Sequence, residues 1–182
     1  MHLSLTEQEL VKQSKEGNRE AFSQLVEKYR QKVFQTSMGF LHNVDDAEDL
    51  TQEIFLKVWY SIRSFDQRSS FSTWLYRIAV NRAVNQVRKN KIRSFIGLNN
   101  EIKDSNFTTE NAETQLENQE KKIQIKKAID QLKTNQRKAF VLFYYQELSM
   151  KEVASVMKTS PKAAESLVFR ARKKLQTILS RQ

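Results

Sequence analysis

The sequence predicts an all-α fold of two small helical domains joined by an acidic flexible linker, and three observations carry that prediction. Among 182 residues there are three glycines and one proline, too few to supply the β-turns of a sheet protein, whose backbone angles depend on those residues. Apolar residues recur at helical spacing through most of the chain. The charge, finally, is unevenly divided: residues 1–94 carry +4, residues 95–120 carry −5 and residues 121–182 carry +11. The acidic stretch, "FIGLNNEIKDSNFTTENAETQLENQE", is rich in Asn, Thr and Gln and has no sustained apolar period, the composition of a tether. The expected division is a first domain over 1–94, a linker over 95–118 and a second domain over 119–182, with no internal repeat.

Local signals place the elements in order. Thr6 and Glu9 form a capping box for a first helix, and Gly17 supplies the left-handed residue that ends it. A second helix runs from about Arg19 to Leu41. Asn43 or Asp45 caps a third, which reaches about Arg63. The polar loop "SFDQRSS" then leads into "FSTWLYRIAVNRAVNQVRK", residues 71–89, as a fourth helix. The second domain opens with a helix from about Gln119 to Leu132, followed by one over Gln136 to Tyr145. Ser149 and Glu152 cap a short helix to Met157; Ser160 caps the last, with Pro161 at its first position, where a missing N–H costs nothing.

A formal charge of +10 suits a polyanionic partner, nucleic acid or an acidic membrane surface. The absence of cysteine excludes disulfides, thiolate catalysis and Cys-based metal sites. Met1 to Leu10 lacks the regions of a signal peptide, and no apolar run approaches the ~18 residues of a membrane span. A cytosolic protein is the expectation.

Three helical faces carry the candidate chemistry. In the fourth helix Leu75, Tyr76, Ala79, Val80, Ala83, Val84 and Val87 share the core arc. The opposite arc holds Arg77, Asn81, Arg82, Asn85, Arg88 and Lys89, with Phe71, Trp74 and Ile78 among them. Aromatic rings beside basic side chains suit unpaired bases and their phosphates. Burial of Phe71 and Trp74, where this helix is covered on both sides, fits the pattern equally well. In the third helix Ala47, Leu50, Ile54, Phe55, Val58 and Ile62 face inward. The outer arc combines Asp46, Glu48, Asp49, Gln52 and Glu53 with Leu56, Trp59 and Tyr60, apolar anchors with a polar rim, as at a protein interface. The last two helices have the layout of a helix-turn-helix. With Ala164, Leu167, Val168, Ala171, Leu175 and Ile178 inward, the last leaves Lys162, Glu165, Ser166, Phe169, Arg170 and Lys173 for DNA.

Four segments in this order resemble the bacterial extracytoplasmic-function sigma factors of RNA polymerase: "ELVKQSKEGNREAFSQLVEKY" (9–29), "DAEDLTQEIFLKVW" (46–59), "SFDQRSSFSTWLYRIAVNRA" (64–83) and "ELSMKEVASVMKTSPKAAESLVFRARKKL" (147–175). The resemblance covers nearly the whole chain. It implies a non-catalytic subunit that binds core polymerase, directs it to promoters and helps to melt DNA. Asp49, Gln52 and Glu53, with Leu56 and Trp59, match the part that docks on the clamp helices of the largest polymerase subunit. Phe65 and Asn81 match positions that engage the promoter-10 element, where a non-template base is flipped out. Ser64, Trp74, Tyr76, Arg77, Arg82 and Arg88 complete that set.

The last helix matches the reader of the promoter-35 element, which assigns it Lys162, Glu165, Ser166, Phe169, Arg170 and Lys173. The resemblance also implies contact with the polymerase flap, a linker near the RNA exit path, and an anti-sigma factor that can hold the protein at the inner membrane. No cofactor, metal or stable homo-oligomer is expected. Departures from the family pattern are Glu165 for a usual Lys or Arg, Leu167 for a frequent Arg, Lys158 for a frequent Gly and Asn85 for a frequent Asp. Two rival readings are a stand-alone helix-turn-helix regulator binding duplex operators, and a metal-dependent nuclease built on Asp45, Asp46, Glu48 and Asp49. The first leaves the surface of 46–60 unused; the second lacks a metal-ligand spacing.

Overall fold

The computed structural model describes residues 5–96 and 112–180, with side chains from 120 onward in the second stretch, and all regular structure in them is helical. Four helices build the first domain: α1 (Glu7–Lys15), α2 (Arg19–Leu41), α3 (Val44–Ser61) and α4 (Phe71–Phe95). The second contains α5 (Ala112–Asp130), α6 (Thr134–Tyr144), α7 (Met150–Met157) and α8 (Pro161–Leu179).

The local signals act as their chemistry dictates. Thr6 and Glu9 cap α1 reciprocally, and Gly17 takes φ 95° at the turn into α2. Asn43, of the two expected candidates, caps α3 through the Asp46 N–H at 3.0 Å. Ser149 with Glu152 opens α7, and Ser160 with Pro161 opens α8.

Three boundaries differ from expectation. The third helix stops at Ser61, and Ile62–Ser64 tighten into a 3₁₀ turn that drives Ile62 into the core. Helix α4 continues past 89 to Phe95. Helix α5 begins at Ala112, inside the expected linker and ahead of Gln119, because "AETQLENQE" is built largely of good helix formers despite its polarity. Of the expected linker, residues 97–111 lie outside the described residues.

Helices α2, α3 and α4 surround Leu25, Val33, Ile54, Val58, Leu75 and Val80, each 2% exposed or less. Burying a side chain of this size contributes about 1.5–3 kcal/mol. Tyr29 packs at the edge of this core and donates its hydroxyl to Glu7 at 2.6 Å. A smaller cluster of Ala128, Ile129, Leu132, Ala171 and Leu175 joins α5 to α8. The larger core does not stop at the domain boundary. It runs on through Ala139, Val141, Leu142, Val153 and Val156 to Val168 of α8.

Burial, assisted by the charges of Glu152 and Glu7, pushes the Tyr76 phenol up to about 12, from an ordinary value near 10. The fold therefore favours the neutral ring. Its contribution is complete below pH ~10 and disappears as pH rises from 10 through 12. Thermal melting followed from pH 8 to 12 should show this loss in the wild-type chain, and Tyr76→Phe should make the decline shallower. An unchanged slope in the variant would remove Tyr76 as its source.

Candidate nucleic-acid interface

The outer face of α3 meets solvent as its pattern requires. Asp49, Gln52, Glu53 and Leu56 are exposed, Leu56 by 56%. Trp59 is half-buried, its ring tilted on Phe22 of α2 with centroids 4.9 Å apart. Tyr60 beside it is 74% exposed. Helix α2 supplies one wall of a groove of about 840 Å³ through Phe22, Val26, Arg30 and Phe34, with Glu48, Thr51 and Gln52 of α3 opposite; Leu56, Trp59 and Tyr60 line a smaller hollow of about 400 Å³ that shares Phe22 and Gln52 with it. Sequence reasoning missed the α2 wall. Its signal was slight: only Phe34 lies well off the α2 arc of Leu25, Tyr29 and Val33 that enters the core, while Phe22 and Val26 fall within or at the edge of that arc and pack on the core from its margin. A large apolar side chain left beside such an arc marks a second contact surface.

The loop before α4 and the helix itself divide the promoter-10 candidates. Ser64, Asn81 and Arg88 are exposed, while Trp74, Arg77 and Arg82 are half-buried. Phe65 and Tyr76 are buried, at 3% and 4% exposure. Phe65 stacks on Trp74 at 5.0 Å and meets Phe71 edge-on at 6.1 Å; Phe71 lies 5.9 Å from Trp74. The Phe65 carbonyl accepts from Lys15 at 2.8 Å, tying the loop to α1. The loop that the sequence reads as polar thus buries this ring, because Phe71 and Trp74 pack against it. In this arrangement Phe65 and Tyr76 support the surface from beneath. Phe71 takes the core disposition of the two that the sequence allowed, and Trp74 presents one edge.

Two of these residues are already engaged by the second domain. Arg77 donates to the carbonyls of Ser155 at 2.8 Å and Val156 at 3.2 Å, and Lys138 donates to Asn81 Oδ1 at 2.8 Å. The sequence held no sign of this, because neither partner follows from a helical period.

In the helix-turn-helix, Lys158 ends α7 with φ 54°, the left-handed turn that glycine commonly makes. Lys162, Glu165, Ser166, Phe169, Arg170 and Lys173 are all exposed along α8, Phe169 by 64%. Arg170 is steered by a hydrogen bond from Nε to the Ser166 carbonyl at 3.0 Å. The face is basic with one carboxylate, a set able to bind phosphates and read base edges in a major groove. Among the described residues no group of three or more His, Asp or Glu side chains is placed to hold a metal ion, and no helix is long and apolar enough to cross a membrane.

Comparison with known proteins accounts for this layout. The sigma-70 region 2 family matches residues 25–92, and the sigma-70 region 4 family matches residues 122–175. The chain is 32% identical over 176 residues to the ECF RNA polymerase sigma factor SigW of Bacillus subtilis (strain 168), across 91% of this chain and 92% of that protein. It is 31% identical to the ECF RNA polymerase sigma-E factor of Escherichia coli (strain K12), with both chains covered fully. Among solved structures it is similar to CnrH in complex with the cytosolic domain of CnrY, with a TM-score of 0.71, 26% identity and coverage of 95% of this chain and 96% of that one. The sigma factor RpoE in complex with the anti-sigma factor NepR from Bartonella quintana gives 0.64 and 25% identity, over 87% and 96%. With region 2 and region 4 on its two domains in that order, and relatives of one kind matching almost end to end, this chain belongs to the extracytoplasmic-function RNA polymerase sigma factors.

Proposed function

We propose that α3 and the groove it shares with α2 bind the clamp helices of core polymerase, that α4 with its preceding loop engages and helps to melt the promoter-10 element, and that α8 reads the promoter-35 element. The bond-forming chemistry belongs to the polymerase, and the subunit acts in the cytosol, where polymerase and promoter meet. The observation that carries this reading is the separation of three chemically distinct surfaces on one chain: an acidic-apolar groove, a basic-aromatic helix and an exposed basic recognition helix. A lone operator-binding regulator has no use for the first. By analogy with RpoE and NepR, an anti-sigma factor is a further partner. Run-off transcription from a pool of random promoters tests the reading directly. Adding the chain to core polymerase should select promoters with shared 10 and 35 elements; failure to associate with core polymerase would end it.

Glu165 makes a sharper test. It is the sole acid on α8, is exposed, and its carboxylate makes neither a hydrogen bond nor an ion pair among the described residues. A carboxylate repels phosphate and the N7 of a purine but accepts from the cytosine amino group, and a good base contact discriminates by about 1–3 kcal/mol. Promoters selected by the wild-type chain should carry cytosine at one position of the 35 element. Glu165→Gln should move that preference to adenine, because an amide both donates and accepts. Identical selected sequences for wild type and variant would exclude Glu165 from base reading.

A further inference from the structure

Helix α1 and the turn after it take no part in the three surfaces, although the first of the four family segments begins in them. They touch the loop before α4 instead. Helix α1 is a firm support: Leu10, Val11 and Ser14 are buried along it, and at its start Glu7 accepts from both Lys28 and Tyr29 of α2. From its last turn Lys15 reaches the Phe65 carbonyl at 2.8 Å, a bond between residues 50 apart. Arg63 completes the junction. It lies over Gly17, where a Cβ would stand 3.6 Å from its Nη2.

The bond from Lys15 falls at a hinge. On the near side the chain is fixed: Ile62–Ser64 form the 3₁₀ turn, the Phe65 N–H donates to the Ile62 carbonyl at 3.0 Å, and the Phe65 ring packs on Phe71 and Trp74. On the far side Asp66 closes the exposed crest of the loop, its carboxylate accepting from the Arg68 N–H and guanidinium, both at 3.2 Å. Gln67 between them takes φ 59°, a left-handed conformation that a non-glycine residue holds only when its surroundings impose it. Ser70 then caps α4 through the Thr73 N–H at 3.2 Å. The crest therefore moves as one piece, and the Phe65–Asp66 peptide joins it to the anchored ring. A peptide group is planar, so a donor that holds its oxygen also sets the direction in which the crest departs. The buried ring cannot do this, because rotation about ψ of Phe65 swings the carbonyl without moving the side chain.

We propose that Lys15 is a positioning residue for promoter-10 recognition: its ammonium fixes the Phe65–Asp66 peptide and so aims the crest, residues 66–68, at an extruded base. The inference rests on the promoter-10 role given above to this loop. Lys15 meets the loop backbone and not DNA, and what it controls is how sharply one base is preferred over another. Reading groups discriminate only when held within about 0.5 Å of their working geometry, and a charged donor makes one of the stronger hydrogen bonds available to hold them. Lysine suits the place, since its long stem bridges two elements and a cation in the last turn is favoured by the dipole of α1.

Run-off transcription from a random promoter pool, with the full chain and core polymerase, compares wild type with Lys15→Met, which keeps the stem and removes the donor, and Lys15→Arg, which restores one. Lys15→Met should weaken the base preference within the promoter-10 element about tenfold, the equivalent of one good base contact. Promoter-35 preference and core affinity should stay within about twofold. Lys15→Arg should recover most of the lost preference. The second readout needs no polymerase: backbone order parameters of residues 66–68 should fall in Lys15→Met from a rigid value of about 0.85 towards about 0.6. Should Lys15→Met melt far below wild type, Lys15→Gln, polar but one bond shorter, carries the same expectations. An unchanged promoter-10 preference overturns the proposal. So does an equal loss of transcription from every promoter, which a phosphate contact or simple destabilisation would give, and so does a crest that stays ordered in Lys15→Met. Lack of promoter-dependent transcription by wild type would strike the functional reading instead, and the order parameters would still decide whether Lys15 holds the loop.

Discussion

Leu56→Ala combined with Trp59→Ala is expected to reduce affinity for core polymerase by two to three orders of magnitude. Both side chains stand on the outer face of α3. Leu56 projects into solvent, and Trp59 is held against Phe22, so its ring reaches a partner with little conformational freedom left to lose. A tryptophan anchor contributes about 2 kcal/mol or more at an interface, roughly 30-fold in affinity, an apolar side chain buried beside it adds about 1–2 kcal/mol, and neighbours do not add fully. Leu56→Ala alone should leave stability within about 0.5 kcal/mol, because an exposed side chain gives up little on truncation. Phe95→Ala is the control. That ring is 93% exposed at the end of α4 and takes no part in the groove, so polymerase affinity should stay within about twofold. Titration of labelled core polymerase measures all three, and equal affinities for the double variant and wild type would exclude this face from docking.

The second large effect is on stability. Phe71→Ala is expected to cost about 3–5 kcal/mol and to lower the melting temperature by about 6–20 °C. Phe71 is 3% exposed and meets Tyr29, Trp74 and Phe65 with ring centroids 5.6, 5.9 and 6.1 Å away. Removing it leaves a void bounded by three rings. Trp74→Ala should cost less, about 2–3 kcal/mol, since part of that ring is already in water. Trp74→Phe retains the stacking on Phe65 and should recover most of that loss. Promoter opening separates the two roles of the tryptophan: if Trp74→Phe melts like wild type yet opens promoters poorly, the exposed edge meets DNA. Full opening by Trp74→Phe would confine the ring to packing.

How much was legible beforehand depends on the range of the interaction. Caps were read to the residue at Thr6, Ser149 and Ser160, because a capping side chain acts on a backbone N–H two or three positions away. The six candidates on α8 are all exposed, because a single inward arc decides a helix covered from one side. The same reasoning stopped short on α4. Its first turns are enclosed by α2 and the loop at Phe65, so the wheel left Phe71 and Trp74 with two dispositions, and only the neighbours could choose. Phe65 was placed in a polar loop by its flanking residues and is buried by Phe71 and Trp74 of the helix that follows, a fold-back across the loop that no helical period predicts. The start of α5 was missed for a different reason. Charge and amide content marked a tether, while the same Glu, Gln and Ala residues also favour helix.

The sequence by itself determined the helical class, the order of eight helices, the position of the turn before the recognition helix and the family to which the chain belongs. Those follow from periodicity, capping and spacing, all local properties. Only the tertiary structure decided that the two domains share one core, that Arg137 is buried against the end of α2, and that Arg77 and Asn81 are engaged by the second domain. These pairs lie 57 to 98 residues apart in the chain, and no helical period links them. An arginine that caps a distant helix looks, in sequence, like any solvated arginine, because what distinguishes it is the carbonyl groups another part of the chain leaves without partners.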